Sequence, residues 1–146
     1  MTNTTLTAEE ILKGIHHAAV RIDAKLKEIE QLNSMICRVT QVLGDPVSGS
    51  KTQADDAIVL LMVLREEIQG EIKELTGIRN YAVSLIDQVE NAMFVGILYA
   101  RHVNGETFEE IAVKMCLSYR QVMRLHKEAV AAVETIRTAQ LGRALA

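Results

Sequence analysis

Apolar residues recur every seven positions along the first part of the chain, and this stripe constrains the fold more than any other feature. Its two lines are Ile15, Ile22, Ile29, Ile36 and Leu43, and Ile11, Ala18, Lys25, Leu32 and Val39. A seven-residue period places both lines on one side of an α-helix. Such a helix would be about 54 Å long at 1.5 Å per residue, so its apolar side must pack against another helix. Thr7 and Glu10 form a capping box that marks its start, and Lys25 weakens one layer.

A second stripe of the same period predicts the helix that packs against the first. It begins near Thr52 and comprises Leu61, Ile68, Leu75 and Ala82 in one line and Ile58, Leu64, Ile72, Ile78 and Leu85 in the other. A chain reversal is indicated between the stripes by Gly44, Asp45, Pro46, Gly49 and Ser50. We therefore predict a long, coiled-coil-like antiparallel helical hairpin over residues 1–88. Gly70 and Gly77, one heptad apart, predict either a close helix contact or a bend.

Polarity rises over residues 84–91, and we place there a helical junction with a second domain, residues 89–146. Residues 93–102 are expected to form a supporting helix in that domain. Its apolar side chains should pack against the helix that follows; they are Phe94, Ile97 and Leu98, opposite Phe108 and Ile111.

Residues 107–127, TFEEIAVKMCLSYRQVMRLHK, have the pattern of two short helices that cross at a steep angle around a tight turn. Capping boxes mark both helix starts, Thr107 with Glu110 and Ser118 with Gln121. Ala112 is small enough for the crossing point. The other residues expected between the helices are Ile111, Met115, Leu117, Val122 and Leu125.

The face of the second helix that remains outside this contact is rich in basic residues. It comprises Ser118, Tyr119, Arg120, Met123, Arg124 and Lys127. Arginine can donate paired hydrogen bonds to guanine O6 and N7, whereas Ser118 and the amides at the helix start can hold a phosphate. Lys127 can reach the DNA backbone, and Met123 can touch a thymine methyl. The pattern predicts a helix that enters the major groove of double-stranded DNA; the alternative is a solvated basic helix in an ordinary bundle.

The run ILYARHVNGETFEEIAVKMCLSYRQVMRLHKEAV, residues 97–130, resembles region 4 of the sigma-70 factors. The resemblance covers about the last third of the chain. The family pattern begins with a helix that carries aromatic and arginine residues, here Tyr99 and Arg101, and a glycine-containing link, here Asn104 and Gly105. An EEIA helix follows at residues 109–112. The pattern ends with a turn that closes on serine, here Ser118, and an arginine-rich helix that carries Arg120 and Arg124. The whole layout is similar to the small sigma-region-4-like regulators of phages and prophages of Gram-positive bacteria, of the ArpU and RinA late-gene activator type.

This resemblance implies a trihelical helix-turn-helix domain that regulates transcription by binding DNA, with RNA polymerase as a further partner. One position departs from the family pattern, because the turn residue that is usually glycine is Cys116 here. A residue other than glycine at positive φ costs of order 1 kcal/mol, so we expect an adjusted turn in a retained fold.

Composition agrees with an all-α chain, since 49% of the residues are hydrophobic but only 3% are aromatic and one is proline. Cys37 and Cys116 lack metal-ligand or disulfide spacing, and we expect buried free thiols. No apolar run reaches the roughly 18 residues that span a bilayer, and the first residues lack the order of a signal peptide. A cytoplasmic protein without a membrane partner is therefore expected.

The formal net charge of −3 does not by itself indicate a nucleic-acid binder. The charges are unevenly distributed, however, with 9 basic and 14 acidic side chains in residues 1–100 but 7 basic and 5 acidic in residues 101–146. A patch this small should bind weakly and with strong salt dependence as a single copy. A homodimer or higher homo-oligomer, formed through the N-terminal helices, would present two copies about 34 Å apart to successive major grooves.

The sequence offers no candidate catalytic residues and no cofactor or metal motif. His16 and His17 point about 100° apart on a helix and are expected at the surface. His102 and His126 fall in the DNA-reading region, where His126 could face a phosphate or, as we prefer, cover the edge of the core. A run of carboxylates, Glu66, Glu67, Glu71 and Glu74, lacks the Glu-x-x-His repeats of a di-iron bundle.

Three functions from different classes therefore stay open. The first is a sequence-specific transcription regulator of phage type. The second is the DNA-recognition subunit of a packaging machine, similar to a small terminase subunit, which a ring-shaped assembly would indicate. The third is a protein-interaction module that binds RNA polymerase without touching DNA, and failure of all DNA binding would favour it.

Overall fold

The computed structural model describes residues 6–43 and 51–145, and nearly all of them are helical. Its five α-helices are α1 (Ala8–Leu43), α2 (Lys51–Asp87), α3 (Ala92–Leu98), α4 (Phe108–Met115) and α5 (Tyr119–Leu145). A π-helical segment, Tyr99–Val103, follows α3. These ranges contain no β-strand, which confirms the all-α prediction; the predicted chain reversal over residues 44–50 lies outside them. None of the helices described combines the length and the apolar character needed to cross a membrane.

The chain divides into two compact units, Met1–Ala18 with Ile78–Ala146, and Ala19–Gly77. We call them the terminal unit and the long-helix unit. The prediction placed the boundary between residues 88 and 89, so the two partitions differ. The physical reason is that the start of α1 and the end of α2 carry apolar residues that are buried among the C-terminal helices.

The long-helix unit consists of antiparallel stretches of α1 and α2. The Lys25 ammonium lies 2.7 Å from the Glu71 carboxylate, and Arg65 donates a 2.9 Å hydrogen bond to Asn33, so residue numbers rise on one helix as they fall on the other. The heptad residues of α1 in this unit are half-buried; they are Ile22, Lys25, Ile29, Leu32, Ile36 and Val39. Lys25 thus lies in the seam with its charge matched, and its hydrogen bond to Glu71 raises the pKa of Lys25.

The two glycines of α2 are not sites of close helix contact. A Cβ atom added to Gly70 or to Gly77 would meet no neighbouring atom within 4 Å. Close approach of the helices therefore does not explain either glycine.

One of the two apolar cores of the terminal unit draws on both ends of the chain. Its buried residues are Ala8, Ile11, Leu12 and Ile15 of α1, Ala82, Leu85 and Ile86 of α2, Val89, Leu98 of α3, and Ala129 and Val133 of α5. Leu12, Leu85 and Ile86 are completely buried. Burial of a leucine or isoleucine side chain stabilises a fold by about 1.5–3 kcal/mol, so this core is a major source of stability.

The start of α1 is held by hydrogen bonds from both near and far along the chain. The predicted capping box is present, because the Thr7 hydroxyl accepts from the Glu10 amide at 3.3 Å and the Glu10 carboxylate accepts from the Thr7 amide at 3.1 Å. The Ala8 amide donates to the Glu134 carboxylate of α5 at 2.7 Å. Arg137 pairs with the same carboxylate and lowers the pKa of Glu134. Carboxylates at a helix N-terminus satisfy its free amides and its dipole, so α5 helps to fix where α1 begins.

The predicted helical junction over residues 84–91 is wrong in its second half. Helix α2 ends at Asp87, and α3 begins only after Asn91. The Asn91 side chain accepts hydrogen bonds from the amides of Met93 at 2.9 Å and Phe94 at 3.4 Å, and this N-cap requires extended backbone at Asn91. The segment between α2 and α3 is nevertheless packed against the core, because the Val89 side chain is buried.

Helix α3 divides its apolar residues between two cores. Ile97 packs with Ile111 and Phe108 as predicted. Phe94 and Leu98 were expected at the same contact, but they pack in the core of α1, α2 and α5. The prediction was wrong for these two because Ile97 and Leu98 are adjacent and point about 100° apart on the helix, and Phe94 lies closer to the direction of Leu98.

Candidate nucleic-acid interface

Helix α4 begins and ends with well-defined capping structures. The Thr107 hydroxyl accepts from the Glu110 amide at 3.2 Å and the Glu110 carboxylate accepts from the Thr107 amide at 3.2 Å, which confirms the predicted capping box. Beyond the helix, Cys116 has left-handed backbone with φ 56° and ψ 41°. The Leu117 amide bonds to the Ala112 carbonyl at 2.9 Å and the Cys116 amide to the Val113 carbonyl at 3.3 Å. This pair of bonds is the Schellman motif, which turns the chain sharply into the next helix.

The turn orients α5 against α4 around a second apolar core. The buried members of this core are Ile97, Ala100, Ile111, Ala112 and Val122, and the partly buried ones are Phe108, Met115, Leu117 and Leu125. All of the residues predicted to lie between the two helices belong to this core. Ala112 is 7% exposed, so a larger side chain at the predicted crossing point would have to displace its neighbours.

The link before α4 is fixed by the π-helical segment. The Asn104 amide bonds to the Tyr99 carbonyl, and the Glu106 amide bonds to the Ala100 carbonyl, both at 2.9 Å. Gly105 lies between them with φ 70°, where a residue with a Cβ would be strained. Arg101 donates to the Glu106 carbonyl at 3.1 Å, and its guanidinium lies 4.4 Å from the centre of the Phe108 ring.

The start of α5 presents the residues predicted to read DNA. Ser118 and Gln121 form the predicted capping box, with hydrogen bonds of 3.1 and 2.9 Å. The six predicted interface residues are all exposed; they are Ser118, Tyr119, Arg120, Met123, Arg124 and Lys127. Tyr119 is also in edge-to-face contact with Phe108, at 6.5 Å between ring centres.

The basic side chains lie on the outer face of α5. The inner face is defined by its buried residues, Val122, Ala129 and Val133. At about 100° per residue, Arg120, Arg124 and Lys127 point away from those three positions. Within the part of the chain that the structure describes, these three side chains join no ion pair. Their charges are therefore available to a polyanion.

Replacing Cys116 with glycine is expected to raise the free energy of unfolding by about 0.5–1 kcal/mol. Left-handed backbone costs a residue with a Cβ about 1–2 kcal/mol, and the greater freedom of glycine in the unfolded chain offsets part of this gain. The Cys116 thiol is exposed, so little packing is lost. Urea denaturation of both chains measures the difference. Cys116→Ala, which keeps the Cβ, should bring no gain, and a glycine variant less stable than the parent would show that the turn is not strained.

The prediction of buried thiols is wrong, because both Cys37 and Cys116 are exposed. Cys37 follows the seam residue Ile36 and points out of the heptad stripe. Cys116 lies beyond the last residue of α4, in the turn to α5, where its side chain is exposed.

Two histidines behind the α5 face form a pair that the sequence did not predict. The Nε2 atoms of His102 and His126 are 3.0 Å apart, so one ring donates a hydrogen bond to the other. His102 is buried, while His126 lies half-buried with its ring 5.0 Å from that of Phe108, in agreement with the expected position at the edge of the core. Burial, with the positive field of Arg101, lowers the pKa of both imidazoles, that of His102 to about 4. Both rings are therefore uncharged at neutral pH.

His16 and His17 are exposed on α1, as expected. They nevertheless line the same cavity as His102 and His126. Only the tertiary fold brings these positions together, since no metal-ligand spacing connects the two ends of the chain. Comparison of the chain with protein-family models, with curated proteins and with solved structures finds no match.

Proposed function

We propose that this chain is a sequence-specific, DNA-binding transcription regulator of the phage type, in which α4, the turn at Cys116 and α5 act as a helix-turn-helix. The observation that carries the proposal is the set of free basic side chains on the outer face of α5, in a helix whose orientation is fixed by the α4 contact. In the proposed complex α5 enters the major groove of double-stranded DNA.

Each side chain of the face has a distinct role in this complex. Arg120 and Arg124 contact base edges, where the arginine fork can pair with guanine, and Met123 meets a thymine methyl. Lys127 contacts a phosphate. The first amides of α5, beside Ser118, can hold another phosphate because a helix N-terminus carries partial positive charge.

A second copy of the chain is part of the proposal. Three cationic side chains give weak binding, and two copies would double the phosphate contacts. Helix α2 supplies apolar surface for such an association, because five of its residues between positions 59 and 64 are more than one-third exposed: Val59, Leu60, Met62, Val63 and Leu64. A contiguous apolar patch of this kind is typical of a protein–protein contact. The resemblance to sigma region 4 favours transcription regulation over DNA packaging and makes RNA polymerase a further partner.

The Arg120→Ala, Arg124→Ala double variant tests the proposed face. We expect its affinity for mixed-sequence duplex DNA to fall by about tenfold or more at low salt, because two phosphate- or base-directed cations are lost. The parent should bind measurably and lose affinity steeply as salt is raised. Fluorescence anisotropy of a labelled duplex at two salt concentrations measures both effects.

A matched control distinguishes a loss of DNA affinity caused by the α5 face from a loss caused by the lower net charge. Lys27→Ala, Lys73→Ala also removes two positive charges, from exposed positions in the long-helix unit. It should bind DNA as the parent does. Equal losses in the two double variants would contradict the assignment of the α5 face. No binding by the parent at low salt would instead favour the protein-interaction module, which the exposed apolar run of α2 also supports.

A further inference from the structure

The chain contains four histidines, and all four line a single cavity of about 430 Å³ in the terminal unit. His16 and His17 come from α1, His102 from the π-helical segment, and His126 from α5. Glu9 of α1 lines the same cavity. Imidazole and carboxylate are the side chains from which proteins build sites for zinc and related ions. The proposed DNA contacts use none of these five residues.

The His102 and His126 pair already has nearly the spacing of two ligands of one metal ion. Their Nε2 atoms are 3.0 Å apart. Two nitrogens that bind a tetrahedral zinc ion at about 2.0–2.1 Å lie about 3.3 Å apart. A shift of a few tenths of an ångström, together with a rotation of both rings that aims their Nε2 atoms at one point, would therefore admit an ion. The shared hydrogen bond would be replaced by two metal–nitrogen bonds, and the donating ring would carry its proton on Nδ1.

Glu9 supplies the carboxylate among the residues that line the cavity. Its negative charge acts on both His102 and His126, whose pKa values it raises against the effect of burial. Its carboxylate is 3.2 Å from the Lys13 ammonium in an exposed i,i+4 pair, and such a solvent-screened pair is weak enough to be given up readily. Within the described ranges no three such side chains are already assembled as a metal site, so Glu9 must rotate towards the pair.

We propose that His102, His126 and Glu9 form a binding site for a borderline divalent transition-metal ion such as Zn²⁺ or Co²⁺, with water as the fourth ligand. The uncharged imidazoles favour such ions over Mg²⁺ or Ca²⁺, which prefer oxygen ligands. The bound ion joins α1, the π-helical segment and α5. It therefore stabilises the terminal unit, because the ligands come together only in the folded chain. The proposal does not depend on DNA binding.

Calorimetric titration with Zn²⁺ and absorption spectroscopy with Co²⁺ test this site in the full-length chain without a histidine tag. The exposed thiols would compete for both ions, so the parent for this experiment carries Cys37→Ser and Cys116→Ser. We expect saturable binding of one ion per chain and the visible absorption of four-coordinate Co²⁺ with nitrogen and oxygen ligands. Saturating Zn²⁺ should also raise the Tm, because it binds the folded state alone.

His126→Gln and Glu9→Gln should each weaken Zn²⁺ binding by about tenfold or more, since each removes one ligand. His126 is only half-buried, so its variant is suited to testing binding in a folded chain, and circular dichroism checks that it is folded. Glu128→Gln, an exposed neutralisation on the same helix as His126, is the matched control and should bind Zn²⁺ as the parent does. Absence of saturable binding by the parent would overturn the site. Unchanged affinity in a folded His126→Gln variant would overturn it as well, and unchanged affinity in Glu9→Gln would overturn the assignment of the third ligand.

Discussion

Replacing Leu12 with alanine is expected to lower the free energy of unfolding by about 2–5 kcal/mol, the usual range for a buried leucine. Leu12 is 0% exposed and lies in the core shared by both ends of the chain. Alanine would leave a cavity between α1 and its neighbours that close packing cannot fill without moving helices. Equilibrium denaturation in urea measures the loss as a lower midpoint with a similar slope.

The control for this prediction is the same substitution farther along α1. Leu26 is 47% exposed, so Leu26→Ala should change the free energy of unfolding by less than about 1 kcal/mol. The contrast between the two variants tests whether the start of α1 is part of the C-terminal core. Equal, small effects at both positions would contradict the packing described for the terminal unit.

Acidification should destabilise the chain strongly through the His102 and His126 pair. The folded-state pKa of His102 is about 4, below its ordinary value of 6.5, mainly because the ring is buried. The adjacent His126, Arg101 and Lys13 lower this pKa further, and Glu9 opposes them. Because the unfolded chain binds protons more readily than the folded chain, protonation of His102 favours unfolding. The free energy of unfolding is therefore unaffected by His102 above pH 6.5 and decreases as the pH falls from 6.5 towards 4.

The size of this loss follows from the pKa difference. For His102 the free energy of unfolding decreases by about 2 kcal/mol by about pH 5, and by about 3 kcal/mol once the pH reaches the folded-state pKa. His126, whose pKa is also lowered by burial, adds to the loss in the same direction. Urea unfolding at about pH 7 and pH 5, with a chelator present to keep the pair free of metal, measures it.

The His102→Gln, His126→Gln double variant isolates the contribution of the pair. It retains the carboxylates, so it should lose about 2 kcal/mol less than the parent between the same two pH values. Each chain is compared with itself, so a lower stability of the variant at neutral pH does not affect the result. Equal losses in the variant and the parent would show that the pair is not held uncharged by the fold.

Features determined by neighbouring residues could be predicted from the sequence. The capping boxes at Thr107 and Ser118 need only residues three positions apart, and the residues around Ala112 follow from helical periodicity within one short segment. In both cases the sequence spacing alone determines which atoms meet. The turn at Cys116 was expected to be adjusted because cysteine carries a Cβ, but this expectation is wrong, since Cys116 keeps left-handed backbone with φ 56°.

Features that depend on contacts between distant segments could not be predicted in this way. The heptad stripe shows that Leu12 and Ile15 lie near a buried face, but not that α5 covers them. The Ala8 amide is bonded by Glu134, 126 residues away. Likewise, the sequence predicts His16 and His17 only as exposed residues of one helix, whereas the fold places them in a cavity with His102 and His126. The spacing of apolar residues shows which face of one helix is buried, whereas these contacts depend on how several helices are arranged.

Selection of bound sequences from a pool of random DNA duplexes tests the central claim most directly. If α5 reads base edges, the parent should enrich a common sequence, and the Arg120→Ala, Arg124→Ala variant should not. A parent that is folded but enriches no sequence over the starting pool would contradict a sequence-specific DNA-binding role for this chain.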